Sequence, residues 1–555
     1  MQNDTTHRCI NNRMKKLYLI LINSLLITIL SLINFGCGVQ ETNVERGNRE
    51  QILYIGNGSE PEGLDPHIVT GVTEHNIISA LFEGLVSEDP IDLHPVPGVA
   101  EYWEVFEKGK RYVFHIREDA FWSNGDAVTA HDFVYSYKRI LSPALAAKYA
   151  YMLYVMKNAR AFNVGEFTDF SNVGAKALDD KRLEIVLETQ IPYFLELQNH
   201  YSWWPVHKST IEKFGEMTER GTSWTKPENI VSNGPFNLKN WRINQSISVK
   251  KNLNYWDAEN VTLNGINFLP IDSRDSEERA FRVGYIHITQ SIPLHRIDYY
   301  RNERPDLSRF DTYLGTYCYL FNIKLPPLND IRVRKALSLS LNREEITQYI
   351  TRAGQQPAYH FTPPDTRGYN TKARIEYDIE KAKVLLAEAG YPGGQGFPVL
   401  ELLYNTSESH HTLAEAIQQM WKKTLNIEIK LLNQEWKVFL NSMHSKNYQI
   451  GRFGWIGDYN DPNTFLDMWV TDGGNNRTGW SNSEYDKLIS LASKTLVKEE
   501  RFNHFQDAEA ILLEELPVMP IYFYVRSLLI QPSVRGWYPN ILDHHPYKSV
   551  SLEAM

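Results

Sequence analysis

At 555 residues, with 42% hydrophobic and 23% charged residues, the chain has a globular composition and material for about three to four domains. A disordered, collagen-like or coiled-coil protein is excluded, and a single long apolar run excludes a multi-span membrane protein. The formal charge of −9 includes a basic leader, so the remainder is more acidic still and would repel a phosphate backbone, which argues against nucleic acid as a partner.

Met14-Lys15-Lys16 precedes an apolar stretch over residues 17–33, interrupted by Asn23 and small hydroxyl residues. A basic start, an apolar core and small residues describe a secretory signal, although the stretch is near the length of one membrane span. A start at Met14 would leave the first residues as an upstream extension. Cys37 follows Gly36 and resembles the lipidated cysteine of a bacterial lipoprotein box, with Asn34 standing where an aliphatic residue is usual. Residues 1–37 are therefore expected to be a lipoprotein-type signal peptide, with lipid on Cys37, and residues 38–50 a flexible tether. Cys9 lies upstream of that cut, so Cys318 alone remains beside Cys37, with no disulfide framework and no cysteine cluster for a metal. Within Tyr317-Cys318-Tyr319-Leu320 it reads as a buried strand residue.

Further along, Tyr112, Phe114 and Ile116 alternate with Val113, His115 and Arg117, and Leu183, Ile185 and Leu187 alternate in the same way; both predict strands. Asp378 can cap a helix whose Ile379, Ala382, Leu385, Leu386 and Ala389 share a face, ended by Gly390 and Pro392. Leu413, Ala414, Ile417, Met420, Trp421 and Leu425 form a second stripe, starting just after His410 and His411, and residues 484–515 hold further helical pattern. Interleaved strands and helices predict mixed α/β lobes.

No phosphate loop, GxSxG elbow, HExxH, paired CxxC or GxGxxG occurs. His410-His411 and His544-His545 are adjacent pairs, without the spacing of four that puts two ligands on one helix face. No catalytic residue, metal or cofactor is assigned, and no enzymatic activity is expected.

Ser59-Glu60-Pro61-Glu62-Gly63-Leu64-Asp65-Pro66-His67 leads to Leu81-Phe82-Glu83-Gly84-Leu85, Pro97-Gly98-Val99-Ala100-Glu101-Tyr102-Trp103, and Trp122-Ser123-Asn124-Gly125-Asp126. Asn233-Gly234-Pro235-Phe236, Asn329-Asp330-Ile331-Arg332-Val333-Arg334, Leu403-Tyr404-Asn405-Thr406-Ser407, Asn433-Gln434-Glu435-Trp436-Lys437 and Gly454-Trp455-Ile456-Gly457-Asp458-Tyr459-Asn460-Asp461-Pro462 follow in order. This series resembles the extracellular solute-binding proteins of peptide ABC transporters, the oligopeptide-binding member in particular, along the whole mature chain.

The resemblance implies an α/β, periplasmic-binding-protein-like fold: two lobes closing over ligand, three domains, and a discontinuous first lobe. Its domain I would comprise 51–82, 208–312 and 530–555, domain II 83–207, and domain III 313–529. It also implies a monomer outside the cytoplasm, periplasmic or at the cell surface, that passes short peptides to a permease driven by a separate ATPase. The membrane would be reached through the lipid anchor only. Same-fold receptors for murein peptides, metal chelates, haem or oligosaccharides remain open, as does an extracytoplasmic peptidase.

A receptor indifferent to side chains must hold an ammonium, a backbone and a carboxylate, and charge-assisted hydrogen bonds do this best where water is excluded. By resemblance Asp458 takes the ammonium, although Asp458 to Pro462 is also rich in turn formers. Arg452 matches a carboxylate-binding arginine, whose planar fork suits that task, and His410 a histidine that meets the carboxylate of a longer peptide. Gly71, Val72 and Thr73 match one strand-like flank of the ligand and Gly454, Trp455 and Ile456 the other. Tyr149, Trp436 and Trp455 match aromatic walls. Thr70 stands where relatives often carry an acid, and Gly315 and Ile456 where some carry a cross-linking cysteine pair.

Overall fold

The computed structural model describes residues 14–24 and 41–553. Residues 14–24 are helical, and among the described residues no helix is long and apolar enough to cross a membrane. Cys37, and the cleavage and lipidation expected there, lie outside the described residues. From Asn43 the chain forms one compact unit.

The expected tether is corrected at once, because Asn43–Glu50 is a helix. Its composition is polar, but Val44 and Asn48 are buried, and Asn48 Oδ1 lies 3.3 Å from His287 Nε2. Gly47 permits the docking: a Cβ there would lie 2.4 Å from the Ile52 carbonyl oxygen and 2.7 Å from His287 Cε1. One apolar residue and one glycine on the same face outweigh the polar pattern.

Three larger sheets and two two-stranded ones, Val86–Glu88 with Pro95–Pro97 and Val534–Arg535 with Ser551–Leu552, build the remainder of the described chain. In the first, Ile52–Gly56 runs parallel to Gly265–Leu269, which pairs antiparallel with Ser246–Lys251, and that with Phe236–Arg242. Ile288 bridges to both Ile55 and Ile530, so segments distant in sequence meet at this sheet. The second is antiparallel throughout, ordered Ala100–Phe106, Arg111–Ile116, Arg182–Val186, Ala175–Ala177. It holds both strands read from alternation, with Phe114, Leu183 and Ile185 wholly buried. Ala130–Leu141 packs beside it, its start held by a capping box in which Asp132 Oδ2 accepts from the Thr129 backbone N–H at 2.8 Å.

The third sheet has six strands, and its long central strand Ser308–Phe321 lies between Val518–Leu529 and Ile450–Ile456. Leu400–Asn405 and Ile429–Gln434 extend it on the Ile450–Ile456 side. Cys318 is buried on the central strand, as its apolar surroundings predict. Gly315 faces Ile456 across the register, and a Cβ at 315 would lie 2.5 Å from Ile456 Cδ1, so the isoleucine fills the space between the two strands.

The expected cap is present, with Asp378 accepting from the Lys381 N–H at 2.9 Å at the head of Ile379–Glu388. The second apolar stripe starts after His410 and His411 as expected, on the helix Glu408–Leu425, whose first turn holds both histidines. Its Leu413, Ile417 and Trp421 are buried, each apolar side chain contributing about 1.5–3 kcal/mol. The Trp421 indole N–H donates to the Leu337 carbonyl at 2.8 Å. The helical pattern over 484–515 resolves into Ser483–Ala492 and Lys498–Glu515.

Candidate functional site

Ile450–Ile456 carries the centre of the site. One edge pairs with the central strand along its whole length, while Leu400–Asn405 pairs the other edge only at Ile450 and Gly451. The edge of Gly454, Trp455 and Ile456 is thus left without a sheet partner, and all three line a cavity of about 370 Å³, within the range of about 300–1,000 Å³ usual for ligand sites. Gly454 has a specific reason to lack a side chain: its Cβ would sit 2.4 Å from the Tyr524 hydroxyl and 3.3 Å from Arg452 Nη2.

That space belongs to Arg452, which donates from Nη2 to the Tyr524 hydroxyl at 2.9 Å and stacks with Cζ 4.9 Å from the Tyr317 ring centroid. Burial opposes its charge, but the Tyr524, Tyr317 and Tyr522 hydroxyls outweigh burial and raise its pKa. No carboxylate among the described residues pairs with it, and its Nε is buried without a partner. His410 lies beside this cation, its Nδ1 3.3 Å from the Tyr317 hydroxyl. Burial, then the Arg452 and Arg274 charges, push its pKa well down, so it is a neutral imidazole.

Asp458 sits just beyond the strand. Its backbone N–H donates to Thr464 Oγ1 at 3.0 Å, and that hydroxyl donates to Oδ2 at 3.4 Å. The side chain is 11% exposed, which removes the solvated-turn alternative, and Oδ1 lies 3.5 Å from His200 Nε2. Burial drives the His200 pKa down to about 3, so the carboxylate has no charged partner among the described residues at ion-pair distance. Burial accordingly lifts the Asp458 pKa to about 7, against the field of His544 and the Thr464 hydroxyl. The loop is anchored from below: Arg501 grips Asp461 at 2.7 and 2.8 Å, both side chains buried, and the Trp455 indole N–H donates to the Thr464 carbonyl at 2.7 Å.

The facing wall comes from the early chain. Gly71 is extended (φ −106°, ψ 153°), but Val72 and Thr73 open the helix Val72–Leu81. The strand-like flank expected over Gly71, Val72 and Thr73 therefore ends at Gly71. A Cβ at Gly71 would meet Glu74 Oε2 at 1.9 Å and Trp436 Cζ2 at 3.2 Å, and Trp436 donates from its indole nitrogen to Glu74 Oε1 at 3.3 Å. Tyr149 completes the wall, 4.4 Å from the His200 ring and 6.4 Å from Trp455 by centroid.

Every ligand-site residue proposed from sequence lines this one cavity: Gly71, Val72, Thr73, Tyr149, His410, Trp436, Arg452, Gly454, Trp455, Ile456 and Asp458. Sequence reasoning missed His200, Arg274, Arg477 and His544, which line it too. His544 pairs with Glu88 at 2.9 Å and stacks on His75 at 4.7 Å. Only the His544-His545 pair gave any sequence signal, and its spacing points elsewhere. Among the described residues, Asp89, Asp92 and His94 group closely enough to hold a metal ion, but they do not line this cavity.

The family whose sequence pattern matches residues 94–477 is that of bacterial extracellular solute-binding proteins, family 5 Middle. The chain belongs to this family. The periplasmic oligopeptide-binding protein OppA of Salmonella typhimurium is 40% identical over 497 residues, covering 88% of this chain and 90% of that protein. Haemophilus influenzae OppA, solved in complex with RPPGFSPFR, superposes with a TM-score of 0.86 at 35% identity, over 91% of this chain and 99% of that one. The murein tripeptide binding protein MppA of Escherichia coli gives 0.86 at 35% identity, over 90% of this chain and 98% of that one. The fold is the α/β fold of these periplasmic binding proteins. The unliganded open form of MppA superposes at only 0.61 with the same 35% identity. The difference is one of conformation, and this family member stands away from the open arrangement.

Proposed function

We propose that this protein captures short peptides between two lobes, by their termini and backbone, and delivers them unaltered to the permease of an ABC importer with its own ATPase. The observation that carries this reading is the free edge of Gly454, Trp455 and Ile456, with a buried carboxylate just beyond it and a guanidinium just before it, neither of which has a charged partner among the described residues. A peptide backbone adds to such an edge as a further strand. Asp458 then pairs with its ammonium and Arg452 with its carboxylate; neutral His410 can donate a hydrogen bond to that carboxylate. Gly71 supports the backbone from the other side, and Tyr149, Trp436 and Trp455 offer sequence-tolerant apolar walls. The names of the relatives, oligopeptide-binding among them, support the same ligand class.

The two lobes would be 51–82, 208–312 and 530–555 with 83–207 on one side, and 313–529 on the other. Only the closed arrangement offers both sets of contacts, so ligand shifts the equilibrium toward it. A murein tripeptide is the second candidate, since a protein of that name superposes equally well.

Calorimetry with di- to pentapeptides tests the reading, and its pH dependence is specified. With Asp458 at about 7 in the free protein, the carboxyl below that pH must lose a proton before it pairs with an ammonium. Affinity is expected to fall by up to about tenfold per pH unit below 7, and to fall again above the α-amino pKa of about 8. N-acetylated peptides should lack both limbs. A flat profile from pH 5 to about 7.5 would remove Asp458 as the ammonium partner, and an absence of heat for any peptide would remove the function.

The chain is further proposed to act outside the cytoplasmic membrane as a monomer, held there by lipid on Cys37. Cys37→Ser should release the processed protein from membranes; unchanged retention would count against the anchor.

A further inference from the structure

The buried arginines of the described chain show how this fold treats a guanidinium needed for its own stability. Arg139 grips Asp65 at 2.6 and 2.9 Å, Arg501 grips Asp461, and Arg334 and Arg343 donate to backbone carbonyls. Arg477 is equally buried, at 6% exposure, and lines the peptide cavity. Its backbone is fixed, the carbonyl accepting from the Tyr448 hydroxyl at 2.8 Å. Its guanidinium is not: among the described residues no carboxylate pairs with it and no acceptor takes its protons, and Nε is buried without a partner.

The nearest cationic groups add to the deficit. Lys148 and His444 share its field, each pushed toward the neutral form by burial and then by Arg477 itself. Phe453, on the cavity strand, lies 5.2 Å from its Cζ. Burial lowers the Arg477 pKa to about 10, partly countered by Tyr149, Tyr448 and Glu62, so it is charged at neutral pH. A buried charge without a counter-ion is strongly destabilising, and it persists most readily where a ligand supplies the counter-ion. Asn475, two residues before Arg477, donates to the Tyr151 hydroxyl at 3.3 Å. Tyr151 stacks on Tyr149 at 5.9 Å, and Tyr149 packs on His200, which lies 3.5 Å from Asp458. These contacts set Arg477 on the side of the cavity that holds Asp458, the end proposed for the ammonium.

We propose that Arg477 receives a carboxylate from an Asp or Glu side chain near the amino end of the bound peptide and makes this receptor selective for acidic peptides. The inference rests on the peptide reading above and adds a preference to it.

The test compares tetra-alanine with variants carrying Glu, Gln or Lys at each of the first three positions, by calorimetry on the wild-type protein and on Arg477→Met. At one position the Glu peptide is expected to bind about tenfold or more tightly than its Gln twin, the gain of a charge-assisted hydrogen bond, with Lys the weakest. Arg477→Met should bring Glu and Gln twins to within about twofold of each other, a ratio taken within one variant and so independent of any overall change in its affinity. Carboxy-terminal amidation should leave the preference standing; its loss on amidation would assign Arg477 to the α-carboxylate and overturn the side-chain assignment. Equal affinity of Glu and Gln twins at all three positions in the wild-type protein overturns it without any variant having to fold. A preference that survives in Arg477→Met also overturns it. If tetra-alanine itself fails to bind, the peptide reading falls too, whereas binding without preference removes only Arg477.

Discussion

Asp458→Ala is expected to weaken binding of a free-amino peptide by about 2–5 kcal/mol, roughly 30- to 5,000-fold in Kd. The size follows from what surrounds the carboxylate. It is 11% exposed, and its neighbour His200 is neutral, so a ligand ammonium would be its only full counter-charge at ion-pair distance among the described groups. Truncating one partner of such a pair leaves the other desolvated and unpaired, which costs more than a surface ion pair of the same length. The measurement belongs near pH 7.5, where the carboxyl, with its pKa of about 7, is mostly ionised and the peptide amine still charged. An N-acetylated peptide should distinguish the two proteins little. A variant with wild-type affinity for free-amino peptides would take Asp458 out of the site.

Asp461→Ala should have the largest effect on stability, a loss of about 3–5 kcal/mol. Asp461 is wholly buried, and it receives both terminal nitrogens of Arg501 at 2.7 and 2.8 Å, as well as the Asn463 N–H at 3.0 Å. Removing the acid leaves a buried guanidinium without its counter-ion. The double variant Asp461→Leu with Arg501→Met should recover part of the loss, because desolvation of both ions is then avoided. Since Asp461 ends the loop that begins at Asp458, the single variant should also bind peptide more weakly. A urea midpoint that corresponds to less than about 0.5 kcal/mol of destabilisation would show that the pair does not hold the loop.

The two kinds of side-chain periodicity were legible because they are local. Tyr112, Phe114 and Ile116 repeat every second residue and lie on a strand; Leu413, Ile417 and Trp421 repeat every fourth and lie on a helix. Asp378 capped the helix it precedes for the same reason, since a cap needs only its own three following residues. The ordered motifs went further: the ligand-site residues they indicated all line one cavity.

Where local pattern misled, a single contact decided. Polar composition over residues 43–50 suggests a tether, yet Val44 and the absence of a Cβ at Gly47 dock a helix against His287. The resemblance matched Val72 and Thr73 to a strand-like flank, yet they open a helix. Tertiary override of local preference is the common cause.

From order and spacing alone come the family, the class of fold, and the neighbourhood of Asp458 and Arg452, because those features are written in contiguous residues. Only the folded chain decides that, among the described residues, Asp458 has no charged partner at ion-pair distance, Arg477 lines the cavity without a paired carboxylate, and the edge of Gly454 to Ile456 has no sheet partner. Each of these is a statement about what is near in space, and desolvation and pairing depend on distance between segments hundreds of residues apart.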